Sequence, residues 1–276
     1  MFCFPVTIGV RKLILNQVKS KEKKVKLQPK QKANGAIATV DVSLFEESAG
    51  DGLQNISQED TALPFLKILS QLSPELESVE DARAGMLYNT VSGQLYKSGV
   101  HVVPCHYEKK YIEWAPRGTG NGSPVNQYSA SSNILAKTSK KAGDWRDYLP
   151  NGNYIEACAQ HYVMLVEERQ PALIVMKSTQ LKKSRKWNSM IMTTSIPNSK
   201  GVMFQPPSYS HVYSLATEKE SNDKGQWYGW EIGKVGLIED QSLFILCKNF
   251  AESISKGEVE VKHTEDNPVK TSDIPF

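Results

Sequence analysis

The sequence predicts a mainly β chain of the α+β class: a small five-stranded barrel with large insertions, flanking helices and disordered termini. Three observations predict it. Runs rich in Val, Ile, Tyr and Trp recur between positions 100 and 232, separated by Gly-, Asn- and Ser-containing turns, which is the pattern of strands. A single helical stretch interrupts them, opening at Ser178. Apolar residues make up 39% and charged residues 23% of the 276, enough for a buried core in one or two domains.

Residues 36–60 are acidic and polar and read as a loop-rich lead-in. Thr61–Leu69 is too densely apolar for an exposed helix and predicts a buried short helix or strand. Ala84–Asn89 follows, then a turn at Ser92-Gly93. Val100–Cys105 and His106–Trp114 predict two consecutive strands. Residues 117–144, rich in Gly, Ser, Asn and Lys, form an excursion longer than ordinary loops. His161–Val166 and Pro171–Met176 resume β character around a turn at 167–170. A helix over 178–191 places Leu181, Met190 and Ile191 toward one side and leaves its exposed positions basic. Tyr209–Thr217 and Gln226–Ile232 predict strands joined by turn chemistry at Asn222-Asp223-Lys224-Gly225. Asp240 caps a closing helix to Ser253. Strands bracketing one helix suit a closed barrel with its helix between the third and fourth strands, the oligonucleotide-binding (OB) topology. Other mixed α+β folds give the same string.

The formal charge of +3 is unevenly spread. Residues 11–32 hold nine Lys/Arg and one acid, and residues 251–276 hold six acids and three lysines. The expected organisation is a flexible basic arm (1–35), an OB-like body (36–254) and a flexible acidic tail (255–276). A near-neutral body excludes a uniformly basic DNA-coating protein, so any nucleic-acid site there needs local clustering. No apolar run reaches the ~18–20 residues of a membrane span. The apolar opening segment precedes its positive charge, the reverse of a signal peptide. The four scattered cysteines suit reduced thiols. The expected location is cytoplasmic.

No HExxH, GxSxG or Walker A motif is present. Gly118-Thr119-Gly120-Asn121-Gly122 lacks the strand-to-helix context of a phosphate cradle. Cys105, His106, Cys158 and His161 match the number of zinc ligands, but not the usual spacing. The acid pairs Glu46-Glu47, Glu59-Asp60 and Glu167-Glu168 fall in polar or turn segments and read as solvated. The expectation is therefore no catalysis, no metal and no cofactor.

Aromatics interleaved with cations recur in four segments: Lys109, Lys110, Tyr111 and Trp114; Lys140, Lys141, Trp145 and Arg146; Lys182, Lys183, Arg185, Lys186 and Trp187; and Trp227, Tyr228 and Trp230. Unpaired bases stack on aromatic faces for roughly 1–3 kcal/mol each while Lys and Arg track phosphates. These residues are the expected nucleic-acid-binding set. Rings that fill the core instead are the competing reading.

The final Asp273-Ile274-Pro275-Phe276 resembles the terminal peptide of bacterial single-stranded DNA-binding proteins, though with fewer acids ahead of it. There a Phe enters an apolar pocket and its α-carboxylate meets a basic residue. Thr61–Leu69, Pro171–Trp187 and Asn222–Ile232 give residues 36–276 a resemblance to phage-encoded single-stranded DNA-binding proteins. The resemblance implies an OB fold and protection of replication, recombination or repair intermediates. It also implies single-stranded DNA and replication, recombination or repair proteins as partners, the latter through the tail. Homo-oligomerisation stays open. A virion-associated nucleic-acid-packing protein is the alternative, and a metal-dependent nuclease a more distant one.

Overall fold

The computed structural model describes residues 42–56, 60–116, 118–119, 123–223 and 225–259. The basic arm and the terminal Asp273–Phe276 peptide lie outside them. The chain divides into two compact units, residues 1–54 and 55–276. The first contributes a short helix, α1 (Val42–Glu47), with no buried residue.

The second unit is mainly β, with a curled antiparallel sheet forming a half-barrel. Three short strands, β1 (Leu66–Ile68), β2 (Leu87–Asn89) and β3 (Leu95–Tyr96), make a small sheet, with helix α2 (Glu75–Ser78) between the first two. The large sheet starts with β4 (Val100–Trp114). It continues with β5 (Asn126–Ser129), β6 (Ser139–Lys140), β7 (Asp147–Tyr148), β8 (Tyr154–Leu165) and β9 (Pro171–Lys177). Helix α3 (Leu181–Met192) and a small β10–β11 pair (Ile196–Pro197, Met203–Phe204) precede β12 (His211–Asn222) and β13 (Gly225–Leu237). Helix α4 (Gln241–Ser255) closes the described chain. The strand order is β13-β12-β4-β8-β7-β6, with β5 paired to β4 and β9 to β8.

Residues 100–114, expected as two strands, are one. Its register shifts between Pro104 and His106. Proline has no N–H to give a ladder, and a bulge absorbs it without turning the chain. The 117–144 excursion contains β5, β6 and a 3-10 turn at Ile134–Lys137. The β8 strand starts seven residues before the expected His161, because Tyr-Ile-Glu-Ala-Cys-Ala-Gln hides its alternation behind small and polar side chains.

Period-two alternation gives the sheet two faces. On one, the core face, Val102, Ala159, Val163, Leu165, Ile174, Met176, Tyr213 and Leu215 pack with Trp187 of α3 and Trp230 of β13. Leu181, Ser184, Trp187 and Met190, spaced by three residues, aim one stripe of α3 at this cluster. On the other, Val103, Cys105, Tyr162, Met164 and Leu173 receive Leu243, Cys247, Phe250, Ala251 and Ile254 of α4. Asp240 Oδ1 caps α4 by accepting from Ser242 N (2.8 Å) and Leu243 N (3.2 Å), and Arg169 pairs with its carboxylate.

The two edges that face the opening of the half-barrel are occupied by other groups. Leu173 N of β9 donates to Pro64 O (2.8 Å), and Trp230 N of β13 donates to Gln180 Oε1 (2.9 Å).

His161 lies beneath α3, stacked on Trp187 (centroids 4.5 Å apart) with Nε2 2.8 Å from Ser184 Oγ. Burial lowers its pKa to about 3. Between pH 6.5 and 3 the unfolded chain therefore takes up a proton that the native imidazole refuses, so acid favours unfolding. Above pH 6.5 both states are neutral and the contribution is flat. Urea unfolding should show stability falling by about 1.4 kcal/mol per pH unit below ~6.5. A His161→Asn variant should lose that component of the slope, and an unchanged slope would contradict this assignment.

Candidate functional site

The β4–β8–β7 register sets Trp114 opposite Tyr154 and Tyr154 opposite Tyr148. The three rings therefore share the α4 face, where they form a row across three strands. All three are half-buried. Each ring carries a cation. Lys177 Nζ lies 5.6 Å from the Trp114 centroid, Arg146 Cζ 5.1 Å from Tyr154, and Lys141 Nζ 3.8 Å from Tyr148. Tyr148 and Tyr154 have centroids 6.3 Å apart. Trp145, 55% exposed, extends the group with Arg146 Cζ 5.7 Å from its ring. Exposed cation–π pairs are each worth ~0.5–1 kcal/mol, so they position the side chains without locking them.

Acids temper the charge. Arg146 pairs with Asp144 (3.2 Å), Lys140 with Asp147 (3.0 Å), Lys177 with Glu156 (3.4 Å) and Lys110 with Glu108 (3.0 Å). Tyr148 OH donates to Asp144 Oδ2 (2.6 Å), which together with the Arg146 backbone N–H and guanidinium holds that carboxyl below its ordinary range. Among the described residues Lys141 has no carboxylate partner.

Glu113 anchors the insert that carries this group. The residue is 3% exposed, and its carboxylate accepts from Tyr128 OH (2.5 Å), Asn126 Nδ2 (3.2 Å), Asn153 Nδ2 (2.5 Å) and Asn151 Nδ2 (3.4 Å). Burial pushes its pKa up, and the four hydrogen bonds outweigh burial, leaving it below the ordinary glutamate value. Both ends of the insert are thereby tied to β4.

A second group surrounds the β12–β13 hairpin. Glu220 accepts from Trp227 Nε1 (2.6 Å) and Gln180 Nε2 (3.1 Å) and pairs with Lys183 (2.9 Å). Burial raises the Glu220 pKa less than these partners lower it. A side chain at Gly229 would place its Cβ 2.6 Å from the Glu220 carboxylate. Tyr228 lies over Gly85, where the φ of +92° and the ring, which an added Cβ would meet at 2.5 Å, both require glycine. Lys219 Nζ is 5.9 Å from the Tyr228 centroid.

Several sequence-read residues are corrected by burial. Trp187 (0% exposed), Trp230 (3%) and Tyr111 (9%) are core rings that present no free face to a base. Their flanking lysines misled, because adjacent residues on a helix or strand point to different sides. Lys183 is neutralised by Glu218 and Glu220. Lys182, Arg185 and Lys186 lie exposed at i, i+3 and i+4 on one side of α3, with no ion pair among the described residues. Lys109 lies on the core-face side over Tyr111 (5.1 Å). Trp227 is half-buried. The sequence reading missed Tyr154, and alternation back from Tyr162 would have placed it. The cysteine–histidine set is dispersed, since Cys158 and His161 fall on opposite faces of β8.

A model of the family of Pam3 phage gp34-like proteins matches residues 32–260 of the chain. No curated protein and no solved structure matches it.

Glu113→Gln replaces an all-acceptor carboxylate with an amide whose NH2 faces two of the four donors. It should cost about 1–3 kcal/mol in denaturant unfolding. Hydrogen exchange should accelerate across residues 126–153 more than in the core. Uniform acceleration would show that Glu113 does not specifically anchor the insert.

Proposed function

The chain belongs to the Pam3 phage gp34-like family, and on that footing we propose that it is a sequence-tolerant single-stranded DNA-binding protein of phage replication, recombination or repair. The observation that carries this reading is the Trp114–Tyr154–Tyr148 row with a cation at each ring. Half-buried rings offer stacking faces, and Lys and Arg beside them meet the phosphates. A duplex keeps its bases stacked and would gain only the phosphate contacts.

The connectivity supports the reading. Five strands in the order β9-β8-β4-β12-β13, with α3 between β9 and β12, follow the OB connection order. The β9–β13 ladder that would close such a barrel is absent among the described residues. We read the half-barrel as an OB barrel opened at that seam. In OB folds the ligand face is strands two and three with the loops joining strands one–two and four–five. The equivalents here are β8 and β9, the 115–153 insert and the β12–β13 turn. Tyr154, Tyr148 and the hairpin group fall on these equivalents, and Trp114 ends β4 beside them. Asp273–Phe276 is the proposed partner-recruiting segment.

Oligo-dT should quench the tryptophan fluorescence, with affinity falling steeply as salt rises and with much weaker duplex binding. Trp114→Ala and Tyr154→Ala should each weaken binding by roughly 1–3 kcal/mol while moving Tm little. Equal affinity for duplex and single strand would favour passive charge packing and overturn the proposal.

Deleting Asp273–Phe276 should leave oligo-dT affinity unchanged or slightly higher and abolish capture of replication or repair proteins. Loss of DNA binding on deletion would place part of the DNA site in the tail.

A further inference from the structure

The open seam of the half-barrel holds a groove of about 550 Å³, within the ~300–1,000 Å³ span of small-molecule sites. Phe65, Tyr88 and Tyr228 are among its walls, and Lys67, Lys177 and Glu75 supply charge. Lys177 belongs to two places at once: it lines this groove and it stands over Trp114, the end of the aromatic row. The polar groups of Gln180, also in the wall, are already committed to Trp230 N and Glu220.

Glu75 is different. One carboxylate oxygen meets Lys67 Nζ at 2.6 Å, while the other is shielded from water with no hydrogen-bond partner among the described residues. A buried acceptor left unpaired costs free energy that an incoming donor recovers. Aromatic walls suit a planar heterocycle, and a carboxylate suits an exocyclic amine such as cytosine N4. Thymine would set a carbonyl oxygen against the same carboxylate.

We propose that the seam groove takes one unstacked base bearing an exocyclic amine, cytosine or adenine, with Glu75 accepting from the amine and Lys177 meeting the phosphate between this base and the row. The proposal rests on the single-strand reading for its ligand. It adds one selective position to an otherwise tolerant surface.

The test uses the full chain with oligo-dT and an alternating d(TC) oligomer of equal length. The d(TC) oligomer should bind about tenfold tighter, as expected for one hydrogen bond to a charged acceptor. Glu75→Leu should erase that preference, so that the two oligomers bind the variant alike. Glu75→Gln, whose single amide oxygen stays on Lys67 and whose NH2 then faces the base, should lose it too. Equal wild-type affinities for the two oligomers, or a preference that survives in Glu75→Leu, would overturn the groove assignment and leave the single-strand reading intact. If neither oligomer binds, the single-strand reading fails. Ligand-observed NMR with dCMP and dTMP then decides the groove: selective saturation by dCMP supports it, and none rejects it.

Discussion

The antiparallel ladder between β4 and β8 is the constraint on which the other placements depend. It pairs Val102 with Leu165 at one end and Trp114 with Tyr154 at the other, with one register shift at the Pro104 bulge. Because side chains alternate across a strand, a slip by one residue would exchange the faces. Val163 and Leu165 would leave the Trp187 cluster, and Tyr154 would leave the row it shares with Trp114 and Tyr148. Packing on the core face therefore fixes the ring geometry at the far end. The core does not touch those rings, yet its preference for one register determines where they stand.

Two carboxylates then gather the segments that the ladder leaves loose. Glu113 does so with neutral donors alone, and its four partners come from both ends of the insert. Glu220 does so with a lysine, an indole and an amide, tying the hairpin to α3 and to Gln180. Such networks are costly when partly satisfied and rigidifying when complete. Each therefore acts as a local all-or-none fastening, and the two aromatic–cation groups are held by different ones.

Much of this was legible in the sequence. The β12–β13 hairpin announced itself through Asn222–Gly225, and α4 through Asp240, because local chemistry decides turns and caps. The four mixed aromatic–basic segments were visible as well. What composition could not divide was ring from ring. Trp145 and Trp187 have similar neighbours in the chain, but Trp187 falls on the α3 stripe that meets His161 while Trp145 stands 55% exposed. That difference is tertiary. Glu113 was invisible for the same reason: three of its partners are asparagines 13 to 40 residues away, in segments that read as loops. The 100–114 run reads as two strands divided after Cys105, whereas the ladder to β8 carries one strand through Pro104 with a shift of register.

The lengths of β4 and α4 have a consequence of their own. Fifteen residues of strand extend about 50 Å at ~3.3 Å per residue. Fifteen residues of helix extend only about 22 Å at ~1.5 Å per residue. Even laid parallel, the helix cannot roof more than half of the strand beneath it. The remaining overhang is fixed by arithmetic before any side chain is chosen. Extra turns added to α4 would purchase stability at the expense of that uncovered ledge, so helix length sets how much sheet the fold keeps for itself and how much it leaves to others.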